Sequence, residues 1–188
     1  FPFASEMKDN GKNIPFIMLI HYSKAVRKKL LDEDRHGIDF IFSWNGNADL
    51  ILAIVKLLED AANAENDVFG VGVRVILLVE DSVRYYSTYL PELYKLLLTQ
   101  SREFLKELLN DDQKKYRKRS RPKIFLATCY SEAVEYFEKY KENLLGVISD
   151  VGMVVNKGDK PSSEKLDAGI DLVRRIREYD PKMPVLLQ

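Results

Sequence analysis

The chain has 188 residues, 46% of them hydrophobic and 31% charged, which excludes disorder as its default and leaves ample length to bury a core. Lys plus Arg and Asp plus Glu number 29 each, so whole-chain charge makes no case for a nucleic-acid or membrane-surface partner. A single cysteine, Cys129, excludes an internal disulfide, and the strand-sized apolar runs and absence of a signal-peptide pattern predict a cytoplasmic protein that spans no membrane.

Six short runs are apolar without regular alternation: PFIMLI (Pro15–Ile20), IDFIF (Ile38–Phe42), VILLV (Val75–Val79), KIFLA (Lys123–Ala127), LLGVIS (Leu144–Ser149) and MPVLL (Met183–Leu187), with Asp39, Lys123 and Ser149 as the polar members. Such runs suit strands covered on both faces. Helical stretches separate them. Ser23 is placed to cap KAVRKKLLDED, with Gly37 as its stop. Asn47 is placed to cap ADLILAIVKLLEDAANAE, in which Leu50, Ile54, Leu57 and Leu58 fall on one face. The stretch Asn63 to Gly72 reads as a linker. Ser82 begins a long helix reaching about Leu109, with Pro91 as a kink. NDDQKKYRKRSRPK, Asn110 to Lys123, reads as a solvated basic insertion, since it lacks interleaved aromatics and any recognisable DNA-binding module. Ser131 opens EAVEYFEKYKE, Val154 to Asp167 is loop-like, and Ala168 to Tyr179 forms the last helix. Strands alternating with helices predict an α/β fold with a doubly wound parallel sheet. VILLV should be central between KIFLA and LLGVIS, with MPVLL beyond LLGVIS.

Chemistry concentrates where strands end. VILLV runs into Glu80 and Asp81, and LLGVIS runs into Asp150. Ligands of open parallel sheets bind outside the carboxyl ends of the strands. If the two strands are neighbours, three carboxylates converge and raise one another's pKa values. Mg²⁺ relieves that repulsion, because it takes oxygen ligands and needs only one or two carboxylates beside a phosphate. Solvated acids at strand ends are the plainer alternative, and Asp150 in register with the pair tips the balance towards a site. FGVGV precedes a strand instead of opening a helix after one, which argues against a dinucleotide site.

VILLVEDS, GVISDVGM and AGIDLVRRIREYDPKMPVLL together resemble the receiver domain of two-component response regulators, over Arg74 to Gln188. The resemblance implies a flavodoxin-like receiver used in phosphorelay signalling. By it, Glu80 and Asp81 are Mg²⁺ ligands, Asp150 is both ligand and phosphoacceptor, and the main-chain carbonyl of Gly152 is a further ligand. IPFIMLIHYSKAVRKKL and GIDFIFSWNGNADLILAIVKLLE resemble the fourth and fifth strands of the same family with their helices. There Ile20 stands where the family has Thr or Ser, and Trp44 where it has Lys. The implied division is residues 1–66 as the C-terminal half of a degenerate receiver-like domain, 67–73 as a linker, and 74–188 as the N-terminal two-thirds of a second. The N-terminal strand pair must then cover its apolar faces against the second half or a neighbouring copy, so a homodimer by exchange is one expected form.

FSWNGNADLILAIVKLLED, YYSTYLPELYKLLLTQSREFLKELLNDDQ and RSRPKIFLATCYSEAVEYFEKYKENLLGVISD also resemble paired receiver-like domains that precede phosphoenolpyruvate synthase or pyruvate, phosphate dikinase-like enzymes. That resemblance implies a piece of a longer phosphotransferase, with its catalytic domains downstream and no independent enzyme activity in this segment. The implied partners are a phosphodonor protein or acyl phosphate and those downstream domains. Two function classes are expected: a Mg²⁺-dependent phosphoacceptor switch at Asp150, or a non-phosphorylated pseudo-receiver serving as a structural or interaction module.

Overall fold

The structure is a computed structural model and describes residues 2–11, 14–21, 23, 37–106 and 121–188. Its elements, in chain order, are α1 (Pro2–Asp9), β1 (Ile17–Ile20), β2 (Phe40–Ser43), α2 (Asp49–Ala64), β3 (Val75–Val79), α3 (Val83–Lys106), β4 (Lys123–Ala127), α4 (Tyr130–Tyr140), β5 (Leu144–Ser149), α5 (Ala168–Tyr179) and β6 (Val185–Leu187). All six apolar runs form strands. β1 and β2 pair in parallel, and the other four form a second parallel sheet in the order β4-β3-β5-β6. The architecture is therefore mixed α/β with β3 central, as the sequence pattern requires.

Successive strand residues point to opposite faces, and β3 and β4 are covered on both faces, while Leu186 and Leu187 of the edge strand β6 stay exposed. Val75, Leu77 and Val79 join Phe137, Leu172 and Ile176 in one cluster beneath α4 and α5. Leu78, Ile124 and Leu126 join Leu50, Ile54, Leu57, Tyr86, Leu90 and Tyr94 in a second cluster beneath α2 and α3. Burial on both sides is why these strands carry no polar alternation.

Phe42 of β2 is fully buried in that second cluster. The Tyr86 hydroxyl donates to the Ile41 carbonyl, and the Ser43 N–H donates to Ser87 Oγ at 2.9 Å. The N-terminal pair thus packs against the second half through α3, and residues of α2 and α3 meet both sheets.

Several expectations are corrected. The linker stretch is helical: α2 runs to Ala64 and one wide turn, Glu65–Gly70, continues it. Val68 holds that turn by its place in the first cluster, and buried Asp67 pairs with Lys123 at 2.6 Å. The basic insertion is not solvated at its end, since Arg121 and Lys123 are both buried against acids. Helix α3 continues through Pro91 to Lys106, and its expected end near Leu109 lies outside the described residues, as do residues 107–120 and the helix expected over 24–34. Helix α4 starts at Tyr130 instead of Ser131, because the Ala133 N–H already donates to the Cys129 carbonyl at 3.1 Å; Glu132 Oε2 also accepts the Thr128 N–H at 2.9 Å. Asn47 does cap α2, its Oδ1 accepting the Asp49 N–H at 2.9 Å.

Helix α1 was not legible in the sequence. Tertiary contacts hold it: Lys8 Nζ lies 2.6 Å from Asp39 Oδ1, and Ala4 packs against Gly37. Gly37 has φ +86°, and a Cβ there would lie 2.7 Å from Ala4 main chain, so only glycine fits. Among the described residues, no helix is long and apolar enough to cross a membrane.

Candidate metal centre

Parallel pairing of β3 with β5 sets Val79 opposite Ser149, so the residues that follow leave the sheet side by side. The Glu80 N–H donates to the Ala127 carbonyl at 3.0 Å, and the Asp150 N–H to the Val79 carbonyl at 2.9 Å. These bonds carry the sheet pattern one residue past the strands and fix both acids at the same edge. Glu80, Asp81 and Asp150 each offer a carboxylate oxygen, and these oxygens lie within 4.8 Å of one another. The structure thus brings together the three acids that the sequence singled out.

Their surroundings differ. Glu80 is buried, 1% exposed, whereas Asp81 and Asp150 are half-buried. Glu80 Oε1 accepts the Ser82 N–H at 3.0 Å, and Oε2 accepts Gln188 Nε2 at 3.3 Å. Burial raises the Glu80 pKa to about 7; the nearby Asp150 and Asp81 charges add to the rise, while the Ser82 and Gln188 hydrogen bonds oppose it. Asp150 Oδ1 accepts the Val151 N–H at 2.6 Å, and Asp81 Oδ2 accepts the Val154 N–H at 3.2 Å.

The long stretch after Asp150 folds back on itself. Met153 is fully buried and forms an isolated antiparallel bridge with Lys165. The Tyr130 and Ser131 N–H groups donate to the Val154 and Val155 carbonyls, tying the stretch to the start of α4. The Gly169 N–H then donates to the Val151 carbonyl at 2.8 Å. A Cβ at Gly169 would lie 2.1 Å from the Asp150 carbonyl oxygen, so the amino end of α5 presses directly on the turn that carries Asp150. Gly152, expected to lend its carbonyl, lies in this turn. A Cβ on it would meet Glu164 Oε1 at 2.4 Å, which places a fourth acid nearby that the sequence reading did not single out.

Three carboxylates form a hard, all-oxygen donor set, which suits Mg²⁺ far better than the nitrogen- and sulfur-seeking metals. Among the described residues, this is the only group of three or more acids, His or Cys that could hold a metal ion. Ile20 and Trp44 sit at the ends of β1 and β2, joined by the Trp44 N–H to Ile20 carbonyl bond at 2.7 Å, and no comparable acid group forms there among the described residues.

Two further features escaped the sequence reading. One is Gln188, whose amide reaches Glu80. The other is a buried charged network around Asp60, which accepts from Arg121, the Tyr94 hydroxyl and the Ile124 N–H. A signal for it existed: Asp60 falls in the stripe Ala53, Leu57, Asp60, Ala64, at the spacing of a buried helix face.

Comparison with protein-family models, curated proteins and solved structures finds no match to this chain.

Proposed function

We propose that this chain is a receiver-like regulatory module of the flavodoxin-like class, in which Asp150 accepts a phosphoryl group with Mg²⁺ held by Glu80, Asp81, Asp150 and the Gly152 carbonyl. The observation that carries the reading is the gathering of three carboxylates within 4.8 Å at the carboxyl ends of adjacent parallel strands. A second observation supports the class. Counted from β3, the sheet order β4-β3-β5-β6 becomes 2-1-3-4, the start of the flavodoxin-like order 2-1-3-4-5.

Bound Mg²⁺ would supply charge neutralisation on the phosphoryl oxygens. The chain supplies the acceptor and its placement. The Val151 N–H donates to Asp150 Oδ1, and Oδ2 is assigned as the attacking atom. Oδ2 forms a new bond to phosphorus as the bond from phosphorus to the donor's acyl oxygen breaks. The acyl carboxylate leaves with the electron pair, and no proton needs to move. The β5 turn and Gly169 hold Asp150 in place, which is the positioning that in-line transfer needs. The donor would be an acyl phosphate or a phosphodonor protein. The output would go to downstream catalytic domains of a longer, cytoplasmic phosphoenolpyruvate synthase- or pyruvate, phosphate dikinase-like phosphotransferase.

The test is incubation with acetyl phosphate and Mg²⁺, read by intact mass, with Asp150→Asn as control. One added phosphoryl group in the parent and none in the variant supports the reading. Equal labelling, or none in either, sinks it. One observation favours the other class, a non-phosphorylated pseudo-receiver: each of the three carboxylates already accepts a hydrogen bond from the chain itself. Chain donors alone would then hold the acids, and the module would act by its surface.

A further inference from the structure

Gln188 follows β6, and its main chain is fixed on both sides. Its N–H donates to the Ser149 carbonyl at 3.1 Å, and its carbonyl accepts the Val151 N–H at 3.2 Å. Strand β6 does not adjoin β3, because β5 lies between them. The Gln188 amide nevertheless reaches Glu80 at the end of β3, with Nε2 3.3 Å from Oε2. Neighbouring strands are about 4.8 Å apart, so the Gln188 and Glu80 side chains together bridge roughly two strand spacings. That bridge crosses the carboxyl end of β5, where Asp150 stands.

A primary amide carries two N–H donors on one uncharged nitrogen. One of them is directed at Glu80 in this structure. A cation bound to Glu80 would compete for the same oxygen, and the amide would then be released beside Asp150. Resting on the phosphoacceptor reading above, we infer that Gln188 is a working donor of this site. Its amide holds Glu80 while no cation is bound, and donates to the phosphoryl oxygens while the group is carried by Asp150. A neutral donor held at the mouth of a site stabilises developing oxyanion charge without adding a competing cation.

The experiment compares the whole chain with Gln188→Ala and Gln188→Glu. Mg²⁺ affinity is measured by calorimetry, and acetyl phosphate labelling is followed by intact mass, with Asp150→Asn as blank. Both substitutions leave the main-chain bonds of residue 188 in place. Gln188→Ala should label about a hundredfold more slowly, yet bind Mg²⁺ as tightly as the parent or more so, because a competitor for Glu80 is gone. Gln188→Glu should bind Mg²⁺ more tightly still and label slowly, since it offers charge in place of donors. A role confined to holding the fold would weaken metal binding and labelling together, and that result overturns the inference. Parent-like labelling by Gln188→Ala overturns it too, while leaving the phosphoacceptor reading intact. A parent chain that takes up no phosphate removes both.

Discussion

Arg121 and Asp60, 61 positions apart in sequence, form a two-pronged buried ion pair: Nη2 lies 2.6 Å from Oδ1, and Nη1 lies 2.9 Å from Oδ2. The pair does not stand alone. Lys123 Nζ is 3.5 Å from Asp60 Oδ1 and 2.6 Å from Asp67, while the Tyr94 hydroxyl and the Ile124 N–H both donate to Asp60 Oδ2. One carboxylate on α2 thereby ties α3, the wide turn after α2, and the start of β4. Removing one member of a buried charged set leaves the others uncompensated, at a cost of about 3–5 kcal/mol. Asp60→Ala should lose stability on that scale in urea unfolding, and Arg121→Met paired with Asp60→Leu should recover much of it. A loss below about 1 kcal/mol for Asp60→Ala would mean that the network is effectively solvated.

What the sequence could reveal divides along physical lines. The strands, α2, α5 and the meeting of Glu80, Asp81 and Asp150 were legible, because apolar runs and parallel pairing are local patterns with few topological solutions. Once VILLV and LLGVIS pair in parallel, the residues after them must be neighbours. The burial of Arg121 and Lys123 was not legible, because a charge run looks the same whether its partners are water or acids 56 to 63 positions away. Helix α1 was hidden for a similar reason, since Ala4, Lys8 and Gly37 find one another only in the folded chain.

Gly169 offers a prediction that joins packing to the site. A Cβ there would fall 2.1 Å from the Asp150 carbonyl oxygen and 3.0 Å from Val151 Cα, and neither is the yielding end of a flexible side chain. Gly169→Ala must therefore push α5 away from the turn. Overpacking of this kind costs about 1–3 kcal/mol, and the displacement should also weaken Mg²⁺ binding severalfold. Paired melting and calorimetry experiments would check both effects. Full metal affinity in a destabilised variant would show that the turn keeps its shape without α5.

Glu80 gives the metal-free chain a pH dependence of definite direction. Its folded pKa of about 7 lies above the ordinary value of 4.5. Below about 4.5 the acid is protonated in both folded and unfolded chains, and it imposes no penalty. As pH rises to 7 and beyond, the folded chain must either keep the proton or hold a buried charge beside Asp150 and Asp81. Stability is lost over that window, by up to roughly 3 kcal/mol. Glu80→Gln should flatten this part of the profile in EDTA-treated samples, measured as the difference from the parent between pH 4.5 and 8. Parallel profiles would mean that Glu80 titrates alike in both states.

Mg²⁺ should reverse that trend. Only the folded chain gathers Glu80, Asp81 and Asp150 within 4.8 Å, so an ion held by these acids should bind the native state alone and stabilise it by linkage. At a hundred times its Kd the gain is about 2.7 kcal/mol, or roughly 5–10 °C in melting temperature for a chain of this size. Protons compete for the same oxygens, and Glu80 is the strongest competitor because of its raised pKa. The gain should therefore be largest near pH 8 and shrink towards pH 5. Asp81→Asn should remove most of it, since a neutral amide oxygen replaces one charged ligand while the fold keeps the other two. Thermal unfolding of the parent and Asp81→Asn across Mg²⁺ concentrations at both pH values is the measurement. A parent melting curve indifferent to Mg²⁺ at pH 8 would leave the three acids held by chain donors alone, and the metal-dependent reading would fall.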